Sequence, residues 1–176
     1  VKELSFAWKP NPVAYGQFMS AVATRYDGSF KPKGQSKALP KVSFWVIYNE
    51  PNFGQDLGPQ MVNNTRTPYA PMSFRNLLNA GWNALQSTGH GRDTILWGEF
   101  AAHGSNVVPP FNRAHLRVPG DYGQTKPLQF VRALYCLDNS YRPLRGSQAK
   151  AIGCPTTGSA ARGFRNIASN NAKRSM

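Results

Sequence analysis

The stretch Val42-Ser-Phe-Trp-Val-Ile-Tyr-Asn-Glu-Pro-Asn52 limits the fold of this chain more than any other. Its apolar run, Val42 to Tyr48, is short, β-branched and aromatic, and lies between Pro40 and Pro51. That pattern predicts a buried strand. Pro51 has no N–H for a sheet ladder, so the strand must stop before it. Glu50 is thereby expected at the C-terminal end of a parallel-type strand, the edge where α/β sheets bind ligands. Trp45, Tyr48 and their apolar neighbours are expected to desolvate its carboxyl. That is the condition under which a glutamate serves as a general acid near neutral pH. On placement alone, Glu50 reads equally as a plain loop residue.

The rest of the chain alternates helix and strand. Pro12 fits a first helical position with Asn11 as N-cap. Ala14, Phe18, Ala21, Val22 and Arg25 follow at helical spacing, and Gly28 closes the helix. Ser73 is expected to cap a second helix running to about Ser87, with Phe74, Leu77, Leu78, Gly81, Trp82 and Leu85 as its apolar face. Thr94 to Phe100 reads as a second strand, ended by Glu99 as the first is ended by Glu50. A strand, a helix and a strand in that order predict a right-handed βαβ unit. Neighbouring parallel strands lie about 4.8 Å apart, so the two carboxylates are expected at one edge. Pro127 opens a third helix through Phe130, Val131, Leu134 and Leu137. Residues 53–72 and 101–124 are long polar loops, and Gln55, Asn63 and Asn64 are candidates there for binding hydroxyls.

Trp45-Val-Ile-Tyr-Asn-Glu-Pro-Asn52 resembles the Asn-Glu-Pro signature of the clan A glycoside hydrolases, retaining glycosidases on a (β/α)8 barrel. Further blocks are similar to the central part of cellulase-like members: Phe18 to Tyr26, Leu39-Pro40, Leu57-Gly-Pro-Gln60, Ser73 to Leu85, Ile95 to Gly98, and Phe130 to Asp138. Together they cover roughly residues 8–155. The resemblance implies an α/β fold that is part of a TIM barrel, about strands 3 to 5 with their helices. It implies that Glu50 is the general acid/base and that Asn49 holds the sugar 2-hydroxyl. Tyr48, Trp97 and Trp8 then become candidates for lining sugar subsites, each with core packing as its alternative. Glu99 becomes either a substrate-binding neighbour of Glu50 or a structural group paired with a cation. The family's nucleophile comes from a later strand with no counterpart here, so the chain is expected to be a piece, inactive alone. A complete barrel takes about 250 residues, against 176 here.

Cys136 and Cys154 flank a Pro-, Gly- and Ser-rich segment and read as a disulfide closing it or as two buried thiols. The resemblance to secreted enzymes implies the disulfide and an extracellular parent protein, although no leader-like pattern opens the sequence. Two cysteines and the dispersed His90, His103 and His115 offer no metal-ligand spacing, and no cofactor is implied. No apolar run suits a membrane span. The net charge of +13, from 21 Lys and Arg against 8 Asp and Glu, raises polyanions as partners. The positives are scattered, which argues against specific nucleic-acid recognition. Residues 156–176 are small, polar and basic and are expected to be a poorly ordered tail. A carbohydrate substrate is the expected partner. The alternatives are a non-catalytic carbohydrate-binding remnant and a basic polyanion-binding protein.

Overall fold

The computed structural model describes residues 7–61, 68–102, 104 and 123–156. The segments holding Asn63, Asn64, Arg66, His103, His115 and the basic tail lie outside the described residues. Helix α1 spans Pro12–Arg25, strand β1 Phe44–Asn49, helix α2 Ala70–Ser87 and strand β2 Thr94–Glu99. Helices α3, Pro127–Leu134, and α4, Gly146–Ala151, follow. β1 and β2 pair in parallel, with Trp45 opposite Ile95, Ile47 opposite Trp97 and Asn49 opposite Glu99. The architecture of the described residues is therefore α/β, built on a two-stranded parallel sheet.

Helix α1 begins where Asn11 accepts hydrogen bonds from the amides of Val13, at 2.8 Å, and Ala14, at 3.3 Å. Its buried residues are Met19 and Ala23, with Tyr15, Val22 and Tyr26 packed beside them. That stripe differs from the expected one: Phe18 points outward and is 61% exposed. Helix α2 begins three residues before Ser73. Pro71 occupies its first turn, Tyr69 is its N-cap, and Ser73 lies inside the helix. Proline suits a first turn, whose N–H groups lack intrahelical partners in any case. Gly81 lets α2 approach the sheet. A Cβ there would stand 3.2 Å from Ile47 and 3.3 Å from Tyr15. The main core fills the angle between α1, α2, α3 and the sheet, with Ile47, Phe74, Leu77, Leu85 and Phe130 fully buried.

Among the described residues, the helices cover one face of the sheet and no element covers the other. Phe44 is 73% exposed, Leu96 45% and Val46 40%. The expected strand, buried throughout, is thus a half-buried one. Parallel sheets are ordinarily covered on both faces; among the described residues this one has a partner layer on one face.

A second cluster closes the α3 end of the fold. Cys136 and Cys154 are joined, with Cα atoms 5.8 Å apart, and pack with Ala149 and Ile152. Arg75 of α2 reaches this cluster. Its Nη2 donates to Leu134 O at 2.9 Å and lies 3.6 Å from Cys136 Sγ. Burial pulls the guanidinium down to about 10, which leaves it charged at neutral pH.

At the N-terminal edge of the strands, Asp93 collects three donors. Trp45 Nε1 donates to it at 3.2 Å, His90 Nδ1 lies 2.5 Å away and Lys41 Nζ 3.4 Å away. His90 Nε2 faces Ala23 O at 3.1 Å, so the cluster joins α1, β1 and the turn before β2. Burial pushes the Asp93 carboxyl up. The hydrogen bonds from His90 and Trp45 and the Lys41 charge together hold it below its ordinary value. A depressed carboxyl adds stability above its unfolded value, about 3.9, and loses it as pH falls through the lower folded value. Asp93→Asn should therefore lower the melting temperature at pH 6 and flatten its acid dependence below about pH 4. Thermal unfolding followed between pH 2 and 7 checks this; a parallel decline in both proteins would remove Asp93 from the acid response.

Candidate functional site at the C-terminal strand edge

Strand alternation breaks near the ends of both strands. Tyr48 and Gly98, each one residue before the end, have positive φ of 68° and 74°. In β1, Trp45 and Ile47 are buried and Val46 is exposed, as alternation requires. Tyr48 then also packs into the core, in edge contact with Tyr15 and Phe74 at 6.0 and 6.4 Å. Two consecutive core-facing residues shift the alternation by one place, while the register is kept, with Ile47 opposite Trp97 and Asn49 opposite Glu99. Asn49 is left exposed, and so is its register partner Glu99.

Glu50 follows in the left-handed region, with φ 41°. A non-glycine residue costs roughly 1–2 kcal/mol there and keeps that conformation only when its surroundings impose it. The surroundings are identifiable. The Glu50 amide donates to Glu99 O at 3.0 Å, and its carbonyl accepts from Phe53 N at 2.8 Å. The turn then coils back, with the amides of Asp56 and Leu57 donating to Phe53 O at 3.1 and 2.9 Å. Tyr48 Oη donates to Asp56 O at 2.6 Å and pins the coil to the strand. Burial drives the Tyr48 hydroxyl up to about 12, so it remains a donor.

This coil brings a second carboxylate towards Glu50. The Asp56 carboxyl is raised by burial first and by the Glu50 charge second. Glu50 itself is half-buried.

Behind the edge lies a polar framework that sequence reasoning missed. Asn52 is fully buried. Its Oδ1 accepts from Ala101 N at 2.9 Å, and its Nδ2 donates to Ala101 O at 3.1 Å and Thr125 O at 2.9 Å. Gln60, also fully buried, donates to Pro51 O and Leu57 O at 2.9 and 2.7 Å and accepts from Thr125 Oγ1 at 2.8 Å. The segments after β1, after β2 and before α3 are thus locked together around Glu50-Pro51. The one available signal was that Asn52 and Gln60 fall within the Asn-Glu-Pro-Asn and Leu-Gly-Pro-Gln blocks.

The remaining sequence-predicted site residues divide by location. Asn49, Glu50 and Glu99 share one edge. Trp97 packs against Phe74 and Phe100 at 6.2 and 6.4 Å, and Tyr48 lies in the same aromatic cluster, so both rings belong to the core. Trp45 points to Asp93 at the opposite edge and does not flank Glu50. Trp8 is half-buried beside Gly58, in the loop that follows Glu50. Among the described residues, no group of three or more His, Cys, Asp or Glu side chains could hold a metal ion, and no helix is long and apolar enough to cross a membrane.

Comparison with protein-family models, with curated proteins and with solved structures found no match.

Two measurements probe this geometry. Asn52→Leu keeps the volume but strands Ala101 N–H and two carbonyls. At roughly 1–3 kcal/mol per unmet buried group, a loss of at least about 3 kcal/mol is expected in urea unfolding. A loss under about 1 kcal/mol would mean that the framework does not carry the edge. Glu50→Gln removes a like charge from Asp56 and leaves its burial. The Asp56 midpoint, followed by carboxyl carbon NMR, should fall yet stay above that of an exposed aspartate; an unmoved midpoint would separate the two side chains.

Proposed function

We propose that this chain carries the acid/base half of a retaining β-glycosidase of cellulase-like type, acting on an oligosaccharide or polysaccharide. The observation that carries the reading is the parallel register that puts Asn49, Glu50 and Glu99 at one C-terminal strand edge. That edge is where barrel and open α/β sheets hold their chemistry. The exposure of Phe44, Val46 and Leu96 on the face that the described helices leave open adds support, since in a barrel further strands would cover it. The resemblance around Asn-Glu-Pro supplies the reaction class.

In the double displacement of a retaining enzyme, Glu50 protonates the departing glycosidic oxygen and then takes a proton from the incoming water. Asn49, exposed beside it, hydrogen-bonds the 2-hydroxyl. Asp56, on the loop side, feels the Glu50 charge. The nucleophile must stand about 5–5.5 Å from the acid/base across the scissile bond. Glu99 shares the edge with Glu50, and its role in this reading is to bind substrate or to act as an electrostatic neighbour. The chain by itself is expected to hold saccharide without turning it over.

In a protein that joins this chain to the remaining barrel strands, Glu50→Gln should slow hydrolysis of natural oligosaccharides by about 10²–10⁴-fold. Activated aryl glycosides, whose leaving groups need no proton, should lose less in the first step. Azide, a nucleophile that requires no general base, should restore part of the second. Unchanged hydrolysis of natural oligosaccharides by Glu50→Gln would sink the assignment. Turnover by residues 1–176 alone, lost on Glu99→Gln, would move the nucleophile to Glu99.

A further inference from the structure

A cleft of about 320 Å³ lies between the first turns of α1 and α2, lined by Lys9, Asn11, Tyr69, Ser73 and Asn76 with Pro10, Pro12 and Met72. It belongs to the Glu50 edge of the sheet. Lys9 N donates to Gly58 O at 2.7 Å and Tyr69 N to Gln60 O at 2.8 Å, both within the loop that leaves Glu50. The exposed Lys9 stands with φ 47°, in the left-handed region. Its Nζ lies 5.6 Å from the Tyr69 ring centroid and 5.9 Å from that of Trp8.

We propose that this cleft binds an acidic pyranose, a uronate unit of a carboxylated polysaccharide. Its being a saccharide rests on the glycosidase reading; the anionic class rests on the cleft itself. Among the described residues, Lys9 is the one charged residue in the lining, and the lining holds no carboxylate. The aromatic faces hold the ammonium in place by cation–π attraction, while its N–H donors remain suited to a carboxylate. Half-buried Tyr69, with Pro10, Pro12 and Met72, offers an apolar wall to the C–H face of a sugar ring. Asn11 and Asn76 supply amides for its hydroxyls. The net charge of +13 draws a polyanionic chain towards the protein, and Lys9 marks where one carboxylate is read.

The test is calorimetric titration of the full chain with four probes at matched salt: tetragalacturonate, a sulfated tetrasaccharide, cellotetraose and a DNA duplex. Tetragalacturonate should bind best. Lys9→Gln should weaken it about tenfold and Tyr69→Ala about fivefold, by loss of a charge-assisted hydrogen bond and of a ring contact. Lys33→Gln, an exposed charge in the loop before β1, should leave it unchanged, with circular dichroism confirming that each variant is folded. No uronate binding overturns the proposal. Cellotetraose binding as tightly overturns the part given to Lys9. Equal binding of the sulfated sugar or DNA, weakened as much by Lys33→Gln, reassigns the affinity to diffuse charge and overturns it too. Glu50→Gln keeps uronate affinity in this account. Lys9-dependent binding together with unchanged Glu50→Gln hydrolysis would leave the cleft standing and remove only the glycosidase reading.

Discussion

The side-chain amide of Asn52 is the contact on which the candidate site depends. It is fully buried, and its oxygen and nitrogen are matched to Ala101 N, Ala101 O and Thr125 O. An amide in that position presents a donor and an acceptor in one plane, which an extended backbone answers with its own N–H and C=O. No apolar residue of similar size can do this, and unmatched buried peptide groups are costly. Asn52 thus fixes the chain after β1 to the chain after β2 at the point where ladder pairing has ended. Gln60 extends the link to Pro51 and Thr125. Glu50 lies one residue before this locked segment, and its left-handed backbone is held from both sides.

The paired positive φ at Tyr48 and Gly98 complements that framework. Without the shift, Asn49 and Glu99 would follow Ile47 and Trp97 towards the helices, where a carboxylate and an amide would need buried partners. With it, Tyr48 takes the core-facing place and the polar pair turns outward. The aromatic cluster of Tyr15, Tyr48, Phe74 and Trp97 fills the space behind. Core packing and site geometry therefore share one backbone feature. This explains why Tyr48 and Trp97, which read as sugar platforms beside Asn-Glu-Pro, pack inward instead.

What was legible in the sequence was mostly what backbone chemistry dictates locally. Pro51 ended a β-branched run, Asn11-Pro12 opened a helix, and two strands separated by one helix paired in parallel. What was not legible depended on which surface met which. Helix α1 carries apolar residues on two faces, and the spacing of Phe18 with Ala14 and Ala21 reads as well as that of Tyr15, Met19, Val22, Ala23 and Tyr26. Only contact with α2 and the sheet selects the second. Ser73 before an apolar run carries a capping pattern, but Pro71 lies in the first turn and the helix starts at Ala70. Asn52 and Gln60 stand out in the sequence only as members of the Asn-Glu-Pro-Asn and Leu-Gly-Pro-Gln blocks. Their burial depends on Ala101 and Thr125, 49 and 65 or more residues away, and no local pattern reports such distant partners.

Charge is distributed in step with this geometry. With 8 acidic residues against 21 Lys and Arg, each carboxylate stands out against a positive background. Asp93 lies at the N-terminal edge of the strands, neutralised by Lys41 and hydrogen-bonded by His90 and Trp45. Asn49, Glu50, Asp56 and Glu99 lie at the other edge, where Asp56 feels a like charge rather than a cation. A like-charge neighbour disfavours ionisation, whereas a cation stabilises it. The two edges thus treat their aspartates in opposite ways: Asp93 is held ionised by its donors, whereas Asp56 is raised by burial and by the Glu50 charge. In the proposed reading the anionic substrate is met instead by Lys9, whose Nζ lies 5.6 Å from the Tyr69 ring and 5.9 Å from the Trp8 ring, in a cleft whose described lining holds no carboxylate.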